Sequence, residues 1–309
     1  MYLLSFILVV IGMLIYLAIN PLILMNGLAY SKLVKRYKNL RYANDHRHTT
    51  DLYVPENSDK NKPVIVFVYG GAWDSGDKDH YKFAGVEFAK LGYITAVPNY
   101  RLYPQAKFPH FIEDVASACA ALPRQLAELN LANAQYDVDE PLNIILIGHS
   151  AGAHTIAMLN TQPKYLKYAS SLNNADVHIK ACIGLAGPYD LPLDDPLVVG
   201  KFDGVALHDI SEQQCDKGHV HNSHDANPIN LATANMARML LMHGRADETV
   251  GLYHLEGLAK RLESLGVEHE TVIYDKVPHR HIVGGISGVF HFMNPVFKDI
   301  TTFLKKIDI

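Results

Sequence analysis

The sequence predicts an α/β domain in which a mostly parallel central sheet is covered by helices on both faces. Three observations lead to this prediction. Short apolar runs that suit buried strands alternate with longer segments of helical periodicity. A glycine-framed serine directly follows one of these runs, as expected where a buried strand turns sharply into a helix. The chain has 309 residues, 49% of them hydrophobic, which is enough for one large core.

The strands and helices follow one another along the chain. Residues 48–54 alternate polar and apolar side chains, which indicates a half-buried strand, whereas most later strand segments are short apolar runs typical of burial on both faces. The predicted strands are residues 48–54, 64–69, 93–97, 143–147, 179–185, 239–242 and 270–274. The predicted helices are residues 111–131, 151–159, 252–265 and 295–306. This alternation favours a parallel sheet with helical crossovers.

Residues 191–232 interrupt the alternation. They are rich in Asp, His, Asn and Pro and predict an insertion over the strand ends that would serve as a lid, because loops this long in a compact domain are usually functional. The histidines of this segment match no standard zinc spacing, so we interpret them as polar loop residues and expect no metal and no cofactor. They are His208, His219, His221 and His224.

Composition excludes some classes of function. The formal net charge is −4 and the charges are interspersed, so no concentrated basic face indicates nucleic-acid binding. Cys119, Cys182 and Cys215 are too few for a disulfide framework, and the first two fall in apolar runs that suit buried thiols. Cysteine usage therefore leaves the cellular compartment open.

Ser150 is the candidate nucleophile. It lies in the segment Gly-His-Ser-Ala-Gly at residues 148–152, between an apolar strand and a segment that suits a helix. Glycines on both sides permit a strained turn that exposes the serine hydroxyl at the amino end of the next helix, where negative charge is favoured. An ordinary glycine-rich turn is the alternative interpretation, and the position between strand and helix argues against it.

Amides for an oxyanion are predicted after another buried strand. Residues 69–73 read Tyr-Gly-Gly-Ala-Trp, and the two glycines would let the backbone approach a ligand closely. We assign the oxyanion donors to the amides of Gly71 and Ala72, with the amide of Ala151 as the third. A simple tight turn is the other interpretation of this segment.

The acid and the base are expected after later strands. Asp247 lies in a turn just past residues 239–242, with Glu248 beside it as the fallback. Its carboxylate would orient an imidazole and stabilise the imidazolium. Two histidines, His279 and His281, follow the last predicted strand, and their positions in the sequence alone do not separate them.

Four segments resemble motifs of the carboxylesterase and hormone-sensitive-lipase-like branch of the α/β-hydrolases, most closely its feruloyl-esterase-like and prenylcysteine-methylesterase-like members. They are residues 69–73, which resemble His-Gly-Gly-Ala/Gly-Trp; residues 99–104, which resemble Asp-Tyr-Arg-Leu-x-Pro; the serine turn at 148–152; and residues 243–247, which resemble His-Gly-x-x-Asp. The similarity spans roughly residues 51–304. It implies the α/β-hydrolase fold and the chain order Ser, Asp, His.

The resemblance also separates the two histidines. In these families Ile-Val often occupies the third and fourth positions after the catalytic histidine. Residues 279–283 fit this pattern if His279 is that histidine. One departure is Tyr69, where the family usually has histidine. That side chain supports the oxyanion segment without taking part in the chemistry. Trp73 is expected either to pack under this segment or to line the acyl pocket.

These residues predict a serine hydrolase that cleaves small-molecule carboxylic esters by two-step acyl transfer through Ser150, His279 and Asp247. The same triad would serve an amide or peptide hydrolase or an arylformamidase, because the sequence does not reveal the substrate pocket. A catalytically inactive hydrolase fold that serves as a membrane-tethered binding protein is the alternative from a different class.

The amino terminus is interpreted separately. No charged side chain occurs before Lys32, and residues 3–19 are almost wholly apolar, about the length of a helix that crosses a bilayer (roughly 17–25 residues). We predict that residues 1–30 are an uncleaved single-pass membrane anchor and that residues 31–309 are the catalytic domain. A cleaved signal peptide, with Gly27 and Ala29 near the cleavage site, is the alternative and would imply a secreted or periplasmic protein.

Cationic side chains follow this stretch at once. By the positive-inside tendency they would keep the catalytic domain on the cytoplasmic side of the membrane. They are Lys32, Lys35, Arg36, Lys38 and Arg41.

Overall fold

In the computed structural model, residues 21–131, 136–205, 225–292 and 294–307 are described. Within these residues eight strands form one sheet in the order β1-β2-β4-β3-β5-β6-β7-β8. The strands are β1 Val34–Arg41, β2 Thr49–Pro55, β3 Val64–Val68, β4 Thr95–Pro98, β5 Leu142–His149, β6 Val177–Leu185, β7 Arg238–Gly244 and β8 His269–Tyr274. The first two strands run antiparallel to their neighbours, and the other pairs are parallel. The predicted mostly parallel sheet is therefore present.

The helices connect and cover the strands. They are α1 Pro21–Leu28, α2 Lys82–Lys90, α3 His110–Leu129, α4 Ala151–Thr161, α5 Lys164–Asn173, α6 Pro228–Leu231, α7 Tyr253–Ser264, α8 His279–Gly284 and α9 Val296–Ile307. Two short 3₁₀ turns, Lys78–Tyr81 and Gly288–Phe290, lie between them. Every strand and helix predicted from the sequence has a counterpart here.

The strand order places the helices on both faces of the sheet. The chain leaves β3 through α2 to reach β4 on one side, and then returns through α3 past β3 to reach β5 on the other side. Because parallel crossovers are right-handed, this reversal puts α2 and α3 on opposite faces. Phe88 of α2 packs against Phe297 of α9, with ring centroids 5.8 Å apart, so α9 shares the face of α2. The reversal also opens a crevice at the carboxyl ends of β3 and β5.

The central strands form the core. All five residues of β3 are buried, and so are seven of the eight residues of β5. Burial on both faces explains why these strands read as continuous apolar runs. The outer strand β1 is different, because none of its side chains is fully buried and exposed cations such as Lys35 and Lys38 lie along it. Charges on an edge strand discourage pairing with another chain.

The predicted amino-terminal anchor meets the described structure only at its end. Residues 1–20 lie outside the described residues. Residues 21–28 form α1, whose Met25 is buried and packs with the core, so this end of the segment is part of the folded domain. Nowhere in the described ranges is there a helix with both the length and the apolarity of a membrane span.

Candidate active site

Ser150 lies at the sharp turn between β5 and α4. Its backbone has φ 54° and ψ −122°, a conformation that a non-glycine residue adopts only when the surroundings enforce it. A Cβ on Gly148 would lie 2.5 Å from the carbonyl oxygen of Gly152, and a Cβ on Gly152 would lie 2.1 Å from that of Val68. Only glycine therefore fits on either side of the serine, which explains the pattern seen in the sequence.

The structure brings Ser150, His279 and Asp247 together from three different strand ends. Nε2 of His279 lies 2.9 Å from Oγ of Ser150, and Nδ1 of His279 lies 2.7 Å from Oδ2 of Asp247. With a neutral ring, Nδ1–H donates to the carboxylate and Nε2 accepts from the serine hydroxyl. This is the arrangement in which an imidazole can take the hydroxyl proton during nucleophilic attack.

Asp247 is held as a carboxylate. Its Oδ1 accepts hydrogen bonds from the amides of Thr249 and Val250, both at 2.9 Å, and its side chain is only 1% exposed. Burial alone would raise its pKa, but hydrogen bonds from His243, His279 and the amide of Val250 outweigh burial and hold the pKa of Asp247 well below its usual range. The carboxylate is thus charged and fixed where it orients the imidazole.

The two alternative candidates, His281 and Glu248, are both exposed. His281 is exposed, and its carbonyl oxygen accepts a hydrogen bond from Asn294. His279 and His281 both lie on α8, and residues two apart on a helix point to nearly opposite sides, so only one of them can face Ser150. Glu248 is also exposed, beside Asp247 in the turn.

The predicted oxyanion segment runs directly beside the nucleophile. A Cβ on Gly70 would lie 2.8 Å from Cβ of Ser150, so the backbone at Gly70 touches the serine turn. The next three residues, Gly71, Ala72 and Trp73, all have positive φ, at 126°, 47° and 59°. Left-handed backbone at Ala72 and Trp73 is strained, and strain of this kind concentrates where the backbone must present its amides to a ligand.

Tyr69 supports this segment from behind. Its hydroxyl donates to Oδ1 of Asn99 at 2.7 Å and accepts from Nη2 of Arg47 at 2.9 Å. Its ring is fully buried and stacks between the rings of Tyr81 and Tyr100. The phenol therefore points into a buried polar cluster behind the loop.

Arg47 is a residue that the sequence did not single out. Besides Tyr69, its guanidinium donates to the carbonyl oxygens of Tyr100 and Gly76, both at 2.8 Å. These bonds tie the chain before β2 to Tyr69, the first residue of the oxyanion segment, and to Gly76, three residues after its end. A lone arginine in a polar stretch carries no signal of such a contact.

Trp73 is buried, with 3% of its surface exposed. Its ring stacks on Phe111 at 5.8 Å and meets His154 and Phe202 edge-on at 5.1 and 4.9 Å. These contacts support the first of the two roles expected for Trp73, which is packing under the oxyanion segment. Phe202 belongs to the predicted insertion, and Lys201 beside it bonds to Asp74 at 2.5 Å, so this part of the insertion is attached to the oxyanion segment.

His149 is a second residue that the sequence analysis did not single out. Its Nε2 lies 3.1 Å from the carbonyl oxygen of His279, and the two rings lie 4.9 Å apart. Burial and the nearby His279 lower the pKa of His149 to about 3, so its ring is neutral and Nε2–H donates to the carbonyl. The residue before the serine thus contacts the backbone of the candidate base.

Much of the predicted insertion lies outside the described residues. Residues 191–205 and 225–232 are described, whereas residues 206–224 are not, and these include His208, His219, His221, His224 and Cys215. Cys119 and Cys182 are both buried free thiols.

Comparisons with known proteins show the family of this chain. The family model described as BD-FAE matches residues 50–262, more than half of the chain. The isoprenylcysteine alpha-carbonyl methylesterase ICME of Arabidopsis thaliana is 28% identical over 255 residues, which are 81% of this chain and 57% of that protein. The probable carboxylic ester hydrolase LipM of Mycobacterium tuberculosis is 25% identical over 221 residues, which are 70% of this chain and 48% of that protein. This chain spans about half the length of these relatives.

A solved structure shows the same fold. Esterase B of Lactobacillus rhamnosis superposes on this chain with a TM-score of 0.67 at 15% sequence identity, and the alignment covers 100% of this chain and 96% of that chain. At this identity the likeness concerns the fold, which is that of the α/β-hydrolases.

Proposed function

The chain belongs to the BD-FAE family, and we propose that it hydrolyses carboxylic esters through an acyl-enzyme formed on Ser150. The observation that carries the proposal is the unbroken series of hydrogen bonds from Ser150 through His279 to Asp247. The order of these residues along the chain is the one expected in an α/β-hydrolase. The names of the relatives, two of which are a methylesterase and a carboxylic ester hydrolase, support the same reaction class.

The first half of the reaction forms the acyl-enzyme. His279 takes the proton of Ser150 at Nε2 as Oγ attacks the ester carbonyl, and the imidazolium that results is stabilised by the Asp247 carboxylate. The carbonyl oxygen becomes an oxyanion. His279 then passes the proton to the leaving alcohol, and the acyl group stays on Oγ.

The second half releases the acid. Water gives a proton to Nε2 of His279 while its oxygen attacks the acyl-enzyme, and the same proton returns to Oγ of Ser150 when the acid leaves. The amides of Gly71, Ala72 and Ala151 are the proposed donors to the oxyanion in both halves. Losing one such donor lowers kcat by about 10²- to 10³-fold in related chemistry.

Substitutions in the triad test the proposal. Ser150→Ala is expected to reduce hydrolysis of p-nitrophenyl butyrate by roughly 10⁶-fold, because no other group can form the acyl-enzyme. His279→Ala should cause a loss of similar size, whereas His281→Ala should keep nearly full activity because its side chain is exposed on the other side of α8. Retained hydrolysis in Ser150→Ala would exclude this mechanism.

A substrate panel separates the rival functions. We expect short esters to be cleaved faster than formanilide or a dipeptide. Faster cleavage of the formamide or the peptide would indicate one of the amide-cleaving alternatives. A fluorophosphonate probe should label Ser150, and failure to label it in the folded protein would indicate an inactive binding protein.

The position at a membrane is a further part of the proposal. It rests on the amino-acid sequence of residues 1–20, which contains no charged side chain and is largely apolar. We propose that this segment tethers the domain to a membrane, with the cytoplasmic side as the expected location. Extraction of the full chain from membranes by detergent, but not by high salt or carbonate, would support a tether.

A further inference from the structure

Residues 21–41 form a continuous band along one side of the domain, and we call them the N-terminal band. The band begins with α1, continues through residues 29–33 and ends with the outer strand β1. Its first part, residues 21–31, has no charged side chain, and the whole band contains five cations and no carboxylate. This composition contrasts with the net charge of −4 of the chain.

Large apolar side chains of the band face solvent. Ile23 is 46% exposed, Leu28 59%, Tyr30 68% and Leu33 61%. In the described part of the chain, four of the eleven exposed large apolar side chains thus fall within residues 23–33. Single exposed apolar residues are ordinary, but a cluster beside cations marks an interaction surface.

The band is fixed to the domain. Asn26 donates from Nδ2 to the carbonyl oxygen of His80 at 2.7 Å, and its Oδ1 accepts from the amide of Phe83 at 3.0 Å. Met25, one residue earlier, is buried, and its Sδ lies 4.0 Å from the position that a Cβ on Gly284 of α8 would take. Any partner that binds the exposed side of α1 therefore sets the orientation of the whole domain.

The band starts at the edge of the sheet that carries the candidate active site. Asn26 contacts the amino end of α2 and the preceding 3₁₀ turn, and Met25 lies beside Gly284 of α8, the helix that begins with His279. The band then reaches the opposite edge, where Val34 pairs with Pro55, and returns along β1 to Arg41, which pairs with Thr49. Its apolar and cationic parts thus run side by side from the active-site edge.

We propose that the N-terminal band is a membrane-contact surface that lays this side of the domain on a bilayer with anionic lipids, so that the active-site crevice opens beside the lipid. This proposal rests on the esterase function above and extends it. Exposed apolar side chains would enter the headgroup boundary while the cations meet the lipid phosphates and carboxylates. The substrates that suit this arrangement are esters that carry a long apolar chain and partition into the bilayer.

Charge favours a lipid surface over a second copy of this chain. The exposed cations Lys32, Lys35, Lys38 and Arg41 would face the same cations across a symmetric dimer. Of the cations in the band, Arg36 is the one that pairs with two carboxylates, those of Asp51 and Asp79, while Lys38 lies 3.6 Å from Asp79. Anionic headgroups would complement the other cations of the band, Lys32, Lys35 and Arg41.

A local probe on the full chain tests the contact directly. An environment-sensitive fluorophore attached to Leu28→Cys is expected to shift to the blue when vesicles of phosphatidylcholine and phosphatidylserine are added. The matched control is Leu172→Cys, because Leu172 is 68% exposed and lies on α5, which packs with α3 on the opposite face of the sheet. The emission of a fluorophore at position 172 should not change. Fluorescence from label on the native cysteines is measured on the unsubstituted chain and subtracted.

Three results would overturn the proposal. Emission from position 28 could stay unchanged when vesicles are added. It could already be blue-shifted without vesicles because residues 1–20 cover the surface. It could also depend on protein concentration because a second copy of the chain binds there. The same measurement on Ser150→Ala needs no hydrolysis. It therefore distinguishes failure of membrane contact from failure of the esterase function.

Activity provides the second measurement. In Ile23→Ser/Leu28→Ser/Leu33→Ser we expect kcat/KM for p-nitrophenyl palmitate in these vesicles to fall by about tenfold or more, since each side chain loses its transfer into lipid. Hydrolysis of soluble p-nitrophenyl acetate should be unchanged. The control Tyr168→Ser/Leu172→Ser should change neither rate, and an equal loss in both assays would contradict the proposal.

Discussion

Three histidines around the triad illustrate how one residue type takes different roles. His279 faces Ser150 and is the proposed base, whereas His243 is fully buried and places Nε2 2.9 Å from the carbonyl oxygen of Val250 and 3.3 Å from Asp247. His149 stays neutral and donates to the carbonyl of His279. The environment of each ring, and not its distance from Ser150 along the chain, decides whether it exchanges a proton.

His149 is predicted to be a positioning residue. His149→Leu removes the donor to the carbonyl oxygen of His279, and we expect kcat to fall by about 5- to 100-fold with little change in KM. His149→Gln keeps an N–H donor and should recover most of kcat. Steady-state kinetics on a soluble ester, with thermal unfolding as a check on folding, measure this.

The pH profile separates this role from a proton-transfer role. Because burial and His279 keep the pKa of His149 at about 3, its ring does not titrate in the working range. The acid side of the kcat/KM profile should therefore have the same midpoint in His149→Gln as in the unsubstituted protein. A shifted midpoint, or a loss of kcat in His149→Gln as large as in His149→Leu, would contradict the assignment.

The candidate catalytic residues differ in how far the sequence predicts them. Ser150 is indicated by the glycines on both sides of it between a strand and a helix, whereas Asp247 is indicated by its turn just past a strand, with Glu248 beside it as the fallback. His279 and His281 could not be separated by physical reasoning, because residues 279–284 read as a loop and the opposite orientation of residues two apart appears only once they form α8. Arg47 and His149 act through backbone carbonyls, and such contacts leave no pattern in a sequence.

At the scale of elements, buried strands were the most predictable. A strand segment with both faces covered is apolar, so β3 and the buried stretches of β5, β6 and β7 stand out. The outer strand β1 was not predicted because its half-exposed residues, Val-Lys-Arg-Tyr-Lys-Asn-Leu-Arg, neither alternate nor form an apolar run, and Asn39 at φ 58° interrupts the pairing. In the sequence, its cations indicate only the flank of the predicted anchor.

Helix α2 was also missed, because Gly85 in its middle lowers helix propensity. The structure explains this glycine: a Cβ would lie 2.3 Å from the ring of Tyr53, on the strand beneath. Tertiary packing, which the sequence does not reveal, required the residue that propensity disfavours.

Gly85→Ala is predicted to destabilise the fold. The added methyl group collides with the Tyr53 ring, and overpacking of this kind costs about 1–3 kcal/mol, more than the gain of roughly 1 kcal/mol in helix propensity. Gly27→Ala on α1 is the matched control, because a Cβ there meets nothing within 4 Å and stability should not decrease. Chemical unfolding measures both, and equal stability of the two variants would contradict the packing argument.

At the scale of the whole molecule, Asp114 joins distant parts of the chain. It accepts from the amide of Arg101 at 2.8 Å and from its guanidinium at 2.7 Å, and lies 3.1 Å from Nε2 of His48. Burial alone would raise the pKa of Asp114, but the neighbouring His48 and the hydrogen bonds of Arg101 outweigh burial and lower the pKa below its usual range. Helix α3 is thereby linked to the loops before β2 and after β4.

This linkage predicts the response to acid. The unfolded chain protonates Asp114 at a higher pH than the folded chain does, so its contribution is complete above pH about 4 and is lost as pH falls through the folded-state pKa. Asp114→Asn should lower the free energy of unfolding at pH 7 by about 2–4 kcal/mol, because Arg101 is left without its partner. It should also weaken the dependence of stability on pH below about 4.

Asp176→Asn is the control for this prediction. Asp176 also lies within 3.0 Å of a histidine, His178, but its side chain is 59% exposed. An exposed pair contributes only about 0–1 kcal/mol, so stability should hardly change at any pH. If both variants lose the same stability, burial of Asp114 is not the cause.

Helix α1 has a practical consequence for recombinant expression. Asn26 holds the amide of Phe83 and the carbonyl of His80, and Met25 fills the space beside Gly284. A shortened chain that begins at residue 31 loses all of these contacts, and we expect it to unfold at a lower temperature and to aggregate more readily. A chain that begins at residue 21 keeps them. Thermal unfolding of the two shortened proteins would show which start point yields material fit for crystallisation.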